Sequence, residues 1–255
     1  MTHSIIKSDK LPDFIRKAFV LVFWLAVWEA AALLIGRELL VVSPLRVAVR
    51  LFELSVTAKF WMVTAMSLLR VMSGFLIGNV SGIIIAALTF RIKPLHNLLA
   101  PLLTVIRVTP IASFIILALV WMKNGVVPVF ISFLIVLPII WSGVSAGLGA
   151  VDRQLYETAV MYGFSTGKLI FKLYIPSVMP FYKTASINAV GLAWKTGVAA
   201  EVLCTPVFSI GRQIYESKLY LETADLFAWT AALIIISLII EHLIKKVVYM
   251  TEKKR

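Results

Sequence analysis

The fold class predicted is all-α, a polytopic bundle of membrane helices, and three observations predict it. Of 255 residues, 60% are apolar and only 15% charged, against roughly 45–50% and ~25% in soluble domains. Mean hydropathy is accordingly high, at +0.95. Apolar runs long enough for the ~20-residue helix that crosses a bilayer recur along the chain. Lys and Arg gather in alternate connecting segments, as loops retained on the cytoplasmic side do. Such hydrophobicity excludes intrinsic disorder. Cys204 is the only cysteine, so neither an intrachain disulfide nor a Cys-rich zinc site can form, and His3, His96 and His242 are scattered. The net charge of +12 would point to nucleic acid on a soluble protein. Here retained loop cations account for it, so the expected surroundings are lipid, with no nucleic-acid partner.

One transmembrane domain over 1–255 is expected, with spans at about 18–35, 68–90, 98–122, 126–147, 184–203 and 226–244. The segment 1–17 holds Lys7, Lys10, Arg16 and Lys17, and the apolar run behind it reads as a first span rather than a removable leader. Glu29 sits near the far end of that span, where water or a partner helix can reach it. Ser43-Pro44 then opens a helix, with Ser43 as cap and Pro44 in the first turn. Leu45, Val49, Phe52 and Val56 fall at helical spacing with Arg46, Arg50 and Glu53 opposite, which describes an amphipathic surface helix. In the second span Gly74, Gly78 and Gly82 lie on one face, a groove for close approach of another helix. The third is interrupted at Arg107-Val108-Thr109-Pro110, where proline removes a backbone donor and disfavours helix at Thr109. The tryptophans fall mostly near span ends and read as interfacial anchors.

Orientation follows from the cations. Lys7, Lys10, Arg16 and Lys17, then Arg91 and Lys93, then Arg153, Lys168, Lys172 and Lys183, then the basic tail from Lys245 all fall on one side. They outnumber the Lys and Arg of the opposite segments, so both termini are expected in the cytoplasm.

The loop 148–182 carries the strongest pattern. Asp152 is placed to cap a helix bearing Leu155, Ala159 and Gly163 on one stripe, and Gly163 can take the positive φ that ends it. Ser165 or Thr166 is placed to cap a second short helix through Leu169, Ile170, Leu173 and Tyr174, limited by Pro176 and Pro180. Together they form a knob on the inner face. Gly163-Phe164-Ser165-Thr166-Gly167-Lys168 is not a phosphate-binding loop, because three residues rather than four separate its glycines and Leu169 follows the lysine.

Glu157-Thr158-Ala159, then three residues, Gly163, then nine residues, then Leu173-Tyr174-Ile175-Pro176 resembles the "EAA" loop of binding-protein-dependent ABC importer permeases. Thr158, Leu173 and Ile175 depart from the family pattern by small changes of size. Ser43-Pro44, Leu69-Arg70-Val71-Met72-Ser73-Gly74-Phe75, Arg107 through Ala112, and Trp194 through Glu201 resemble the nitrate/sulfonate/taurine branch. The resemblance implies the type I importer permease fold and a multi-pass protein of the bacterial-type inner membrane. It also implies a homodimeric pore, two ATP-binding cassette ATPase subunits gripping the knob, and an extracytoplasmic substrate-binding protein. Glu157, Thr158, Ala159, Gly163, Leu173, Ile175 and Pro176 would then transmit the ATPase cycle. No catalytic residue, metal or cofactor is expected in this chain.

Arg70, Arg107, Lys195 and Glu201 are charges at membrane depth. Such groups are expensive and face a cavity or a partner. They read either as a path for an anion, such as nitrate, a sulfonate, taurine or bicarbonate, or as inter-helix salt bridges. The segment 205–225 reads as a docking surface for the binding protein or as a cap over the outer vestibule. A secondary carrier or channel is the rival function; it calls for a carboxylate-lined path and repeats between halves, and neither is evident.

Overall fold

The computed structural model describes residues 13–250; the basic residues expected at Lys7, Lys10, Lys253, Lys254 and Arg255 lie outside them. Among the described residues every regular element is a helix. In chain order these are α1 (Asp13–Ile35), α2 (Pro44–Ser55), α3 (Ala58–Arg91), α4 (Lys93–Val108), α5 (Ile111–Trp121) and α6 (Val127–Gly149). They continue with α7 (Arg153–Met161), α8 (Thr166–Leu169), a π-turn (Ile170–Tyr174), α9 (Ile175–Cys204), α10 (Ile210–Leu219) and α11 (Thr223–Met250).

Among the described residues four helical stretches are long and apolar enough to cross a membrane: Ala18–Ile35, Ala58–Arg91, Val127–Gly149 and Thr223–Lys246. α4 and α5 pass the same test together but meet at 104°. The interruption expected at Thr109-Pro110 is therefore a sharp bend, and the stretch 98–122 is not a straight span. α9 covers the expected fifth span, yet Lys183, Lys195 and Glu201 make it too polar to qualify on composition. It runs between other helices instead, with Trp194, Val198, Ala200 and Glu201 buried.

α6 is the centre of the bundle, packed against α3 on one side and α9 on the other. Glycine sets both separations. A Cβ on Gly74 would lie 2.3 Å from the Val129 carbonyl oxygen, and one on Gly78 would lie 2.8 Å from Val136 Cβ. The stripe read from the sequence is thus the seat of α6, at a distance that only hydrogen side chains allow. The core joins Val71, Val136, Ile140, Val190, Trp194 and Trp229. Trp194 is fully buried and donates from Nε1 to the Leu233 carbonyl at 3.3 Å. Trp194 and Trp229 are therefore core residues rather than interfacial anchors, because helices pack around them where the sequence shows only a span end. Trp24, Trp61 and Trp121 are exposed.

α2 is amphipathic as expected. Leu45, Val49, Phe52 and Val56 are exposed, while Leu51 and Leu54 pack on the core. Ser43 holds the cap position, but its hydroxyl donates to Glu29 Oε2 on α1 at 2.8 Å rather than capping α2. The hydroxyl is turned to the Glu29 carboxylate, so its oxygen does not accept from the first N–H groups of α2 as a capping serine would. Arg50 reaches α11, donating to Asp225 Oδ2 at 3.0 Å. The Asp225 carboxylate, and after it Glu53, push the Arg50 guanidinium further above its ordinary range.

Candidate coupling loop and solute groove

Asp152 ends the turn after α6 and caps α7, its Oδ1 accepting from the Gln154 N–H at 2.7 Å. The helix runs nine residues to Met161, and Gly163 just beyond it takes φ +72°. The Gly163 N–H bonds to the Val160 carbonyl at 2.9 Å and the Phe164 N–H to the Ala159 carbonyl at 3.0 Å. This pair of bonds is the Schellman ending, and it needs a residue that tolerates left-handed backbone. Both local signals in the sequence are thus realised.

The second short helix is not separate. α8 runs without interruption through the π-turn into α9, and Pro180 lies inside α9 rather than ending anything. Pro176 has no N–H for the Lys172 carbonyl. The wider turn accommodates that loss, with the Ile175 N–H bonding to the Ile170 carbonyl. The loop is therefore one short helix, a glycine corner and the extended foot of a core helix.

No residue of α7 is buried. Leu155, Val160, Met161, Tyr162 and Phe171 are all exposed, an apolar surface on an otherwise polar loop. Large exposed apolar patches rimmed by polar groups mark contact sites. Glu157 is exposed and held by Arg153 at 2.8 Å; Thr158 is exposed as well. Leu173 and Ile175 are half-buried and Pro176 is exposed. Tyr174 stacks edge-on with Tyr156 of α7 (ring centroids 6.4 Å apart) and with Phe90 at the end of α3 (6.1 Å). A push on α7 thus has two mechanical routes into the bundle, through the foot of α9 and through α3.

A groove of about 810 Å³ opens between α4/α5, α6 and α9. Pro138 of α6 and Pro180 of α9 lie on its walls, together with Ser142, Thr184 and Asn188. Arg107, at the end of α4, is its one charged lining residue and donates from Nη2 to the Pro138 carbonyl. Asn188 and its polar neighbours on α9 are not among the residues expected from the sequence. Thr184, Asn188 and Thr196 recur at multiples of four residues, a polar stripe on one face of an apolar helix, and that was the available signal.

Arg70 and Glu201 lie elsewhere, at the α9–α10 corner, and they meet. Arg70 Nη1 is 3.3 Å from Glu201 Oε1 and also donates to the Phe208 carbonyl at 3.0 Å, while Nη2 donates to the Val207 carbonyl at 2.7 Å. Glu201 is wholly buried; its Oε2 accepts from Ser67 Oγ at 2.7 Å and from the Gly211 N–H at 3.4 Å. Ser67 Oγ in turn accepts from the Ile210 N–H at 2.9 Å. The clasp fixes a turn in which Thr205 and Phe208 adopt positive φ, 45° and 51°, at a cost of ~1–3 kcal/mol each for non-glycine residues. Lys195 lies on the exposed flank of α9, within electrostatic reach of Glu241 on α11. Among the described residues no group of His, Cys, Asp and Glu is placed to hold a metal ion.

The bundle, its exposed, braced loop and the groove along its helices define the class: an all-helical integral membrane protein. The match to the family described as binding-protein-dependent transport system inner membrane component covers residues 78–253, and the chain belongs to that family. Among its relatives is the nitrate import permease protein of Synechococcus elongatus, 26% identical over 209 residues, 78% of this chain and 75% of that one. The bicarbonate transport system permease protein of the same organism is 27% identical over 62% of this chain and 57% of its own length. The formylaminopyrimidine transport permease protein of Halalkalibacterium halodurans is 26% identical, covering 66% and 68%. A chain of a solved amino acid ABC transporter with histidines superposes with a TM-score of 0.60 at 19% identity, over 75% of this chain and 91% of that one, and shares the fold. The chain is thus the integral inner-membrane permease subunit of an ABC importer, the function that the loop spacing implied.

Proposed function

We propose that this permease works as a pair of identical copies on two separate ATPase subunits, each gripping the segment 153–174. A binding protein would deliver a small solute to the opposite face. The observation that carries the reading is the α7 knob: apolar, unburied, and braced against α3 and α9. Glu157, Thr158, Ala159 and Gly163 form its contact side, and Leu173, Ile175 and Pro176 its junction with α9. Nucleotide-driven closure of the ATPases moves the knobs as rigid bodies and switches the pore between inward- and outward-facing states. With the cation-rich segments retained inside, both termini are cytoplasmic.

Arg107 is assigned to the solute path because it lines the groove, whereas Lys195, outside the groove lining and near Glu241 of α11, is assigned to inter-helix electrostatics. Arg70 and Glu201 are assigned to holding the corner that closes the end of the path remote from the knob. The cargo belongs with small solutes of the kind that the relatives are named for, nitrate and bicarbonate foremost, with sulfonates and taurine in the same chemical group.

Reconstituted with its ATPase and binding protein, the complex tests this directly. Glu157→Lys, or Gly163→Val at a φ that a β-branched residue resists, should abolish ATP-driven uptake while the chain still inserts and purifies. Normal uptake by both variants, or uptake by wild type without any ATPase, overturns the proposal and favours a secondary carrier.

A further inference from the structure

We infer that a second, smaller pocket, between the end of α3, the start of α4 and the end of α6, binds the phosphate headgroup of an anionic phospholipid. Lys93 supplies the charge, and His96, Asn97 and Ser145 supply hydrogen bonds. The inference rests on the reading that the knob end of the bundle faces the cytoplasm. It adds a lipid ligand for which the transport cycle itself has no need.

The pocket encloses about 300 Å³ and is lined by Thr89, Phe90, Lys93, His96, Asn97 and Ser145. One wall is fixed by the protein itself. Trp141 Nε1 donates to Thr89 Oγ1 at 3.0 Å, and Thr89 spends its own proton on the Ile85 carbonyl at 2.8 Å. The His96 ring lies against Trp141, with centroids 5.7 Å apart. The other polar groups are left over. Ser145 Oγ is buried and has no hydrogen-bond partner, whereas buried hydroxyls are nearly always paired. Among the described residues no carboxylate pairs with Lys93, and no side-chain hydrogen bond involves His96 or Asn97. The start of α4, at Lys93, has no side-chain cap, and the positive end of the helix dipole adds to the lysine there. The lining includes no acidic residue. An orphaned hydroxyl, an unpaired ammonium and an amide around one small space call for an anion with several acceptor oxygens.

The surroundings assign that anion to a lipid. Phe90, Ile92 and Leu98, on the same stretch of chain, are exposed, so a polar pocket is bordered by apolar surface. A phospholipid is divided in the same way at the level of its phosphate. The pocket also lies where the long α3 ends and the cation-rich connection Arg91–Lys93 begins, and basic pockets between helices at the cytoplasmic face take anionic headgroups. Free phosphate gains nothing from the apolar border. A zwitterionic lipid brings its own cation to Lys93. Phe90 stacks edge-on with Tyr174, which in turn meets Tyr156 of α7. A lipid seated here therefore braces the end of α3 at the point where the knob pushes on it.

The test measures the thermal unfolding midpoint of the permease purified with its ATPase in neutral detergent. It is titrated with phosphatidylglycerol, with phosphatidylcholine of the same acyl chains, and with inorganic phosphate at constant ionic strength. Ligands that bind the native state raise the midpoint saturably. The expected result is a saturable rise with phosphatidylglycerol, a clearly smaller one with phosphatidylcholine and none with inorganic phosphate. Lys93→Gln should weaken the apparent affinity for phosphatidylglycerol about fivefold, the worth of one basic residue at an anionic surface, and Lys93→Arg should keep most of it. Ser145→Ala removes the orphaned hydroxyl, so it should leave the lipid-free midpoint unchanged while weakening the affinity about threefold, on the order of one neutral hydrogen bond. Lys246→Gln, an exposed cation on α11 outside the pocket, should change neither. The inference is overturned by the absence of a saturable rise, by an equal rise with phosphatidylcholine or inorganic phosphate, or by undiminished affinity in either pocket variant. A loss in Lys246→Gln equal to that in Lys93→Gln overturns it too, because the attraction would then be general. Those results leave the coupling-loop variants to decide the importer mechanism by themselves. Conversely, normal uptake by the loop variants removes the mechanism without touching lipid binding.

Discussion

Arg70 and Arg107 bring the same guanidinium into one helical bundle, at the α9–α10 corner and at the groove, and their surroundings differ in what sets the cost of a charge. Arg70 is mostly buried, faces a wholly buried Glu201 and donates to two carbonyls of the turn it clasps. Arg107 is exposed to a groove and has a neutral carbonyl for company. At the corner the charge is consumed by structure: its partner is 131 residues away, and the pair locks α3, α9 and a turn with unfavourable backbone angles. In the groove the charge is left over. The difference teaches that an intramembrane arginine is informative about cargo only after its ion pairs have been assigned.

Three substitutions break or sharpen that contrast. The largest effect is expected from Glu201→Ala, which leaves Arg70 buried without its carboxylate. Removing one member of a buried pair costs ~3–5 kcal/mol, so the unfolding midpoint in detergent should fall steeply, or folded material should be lost. Wild-type stability would mean that the clasp holds nothing. Gly74→Ala comes next, because its Cβ would meet the Val129 carbonyl at 2.3 Å. Overpacking of this kind costs ~1–3 kcal/mol, read in the same thermal assay, and an unchanged midpoint would show that α3 and α6 are free to separate. The smallest effect on stability belongs to Arg107→Gln, within about 0.5 kcal/mol, as for other exposed positions without structural duty. A drop comparable to that of Glu201→Ala would show that Arg107 is structural after all and erase the distinction.

The parts legible in the sequence are those encoded within a dozen or so residues. Asp152 before a helical stripe and Gly163 after it announced α7, and both behave as their chemistry requires, one accepting from an N–H, the other taking φ +72°. Three glycines four residues apart announced a close helix contact. Thr109-Pro110 announced a break, although not its 104° angle. Where the reading went astray, a partner distant in sequence had intervened. Ser43 was placed to cap α2 but is taken by Glu29. Pro176 and Pro180 looked like helix stops, yet a π-turn and the packing of α9 carry the helix through both. Trp194 looked like a span-end anchor until α11 covered it. Asn188 went unremarked because one amide in an apolar run says little until the walls beside it are known.

Composition, turn chemistry and small-residue spacing determined by themselves that this is a helical membrane protein, where its loop bends, and which family its loop spacing matches, because those properties depend on local backbone energetics and on transfer to lipid. Which of its charges at membrane depth are neutralised, and which is left facing a groove, was decided by the tertiary structure alone. Ion pairing depends on distances of a few ångströms between residues far apart in the chain, and only the packing of α3, α6 and α9 sets those distances.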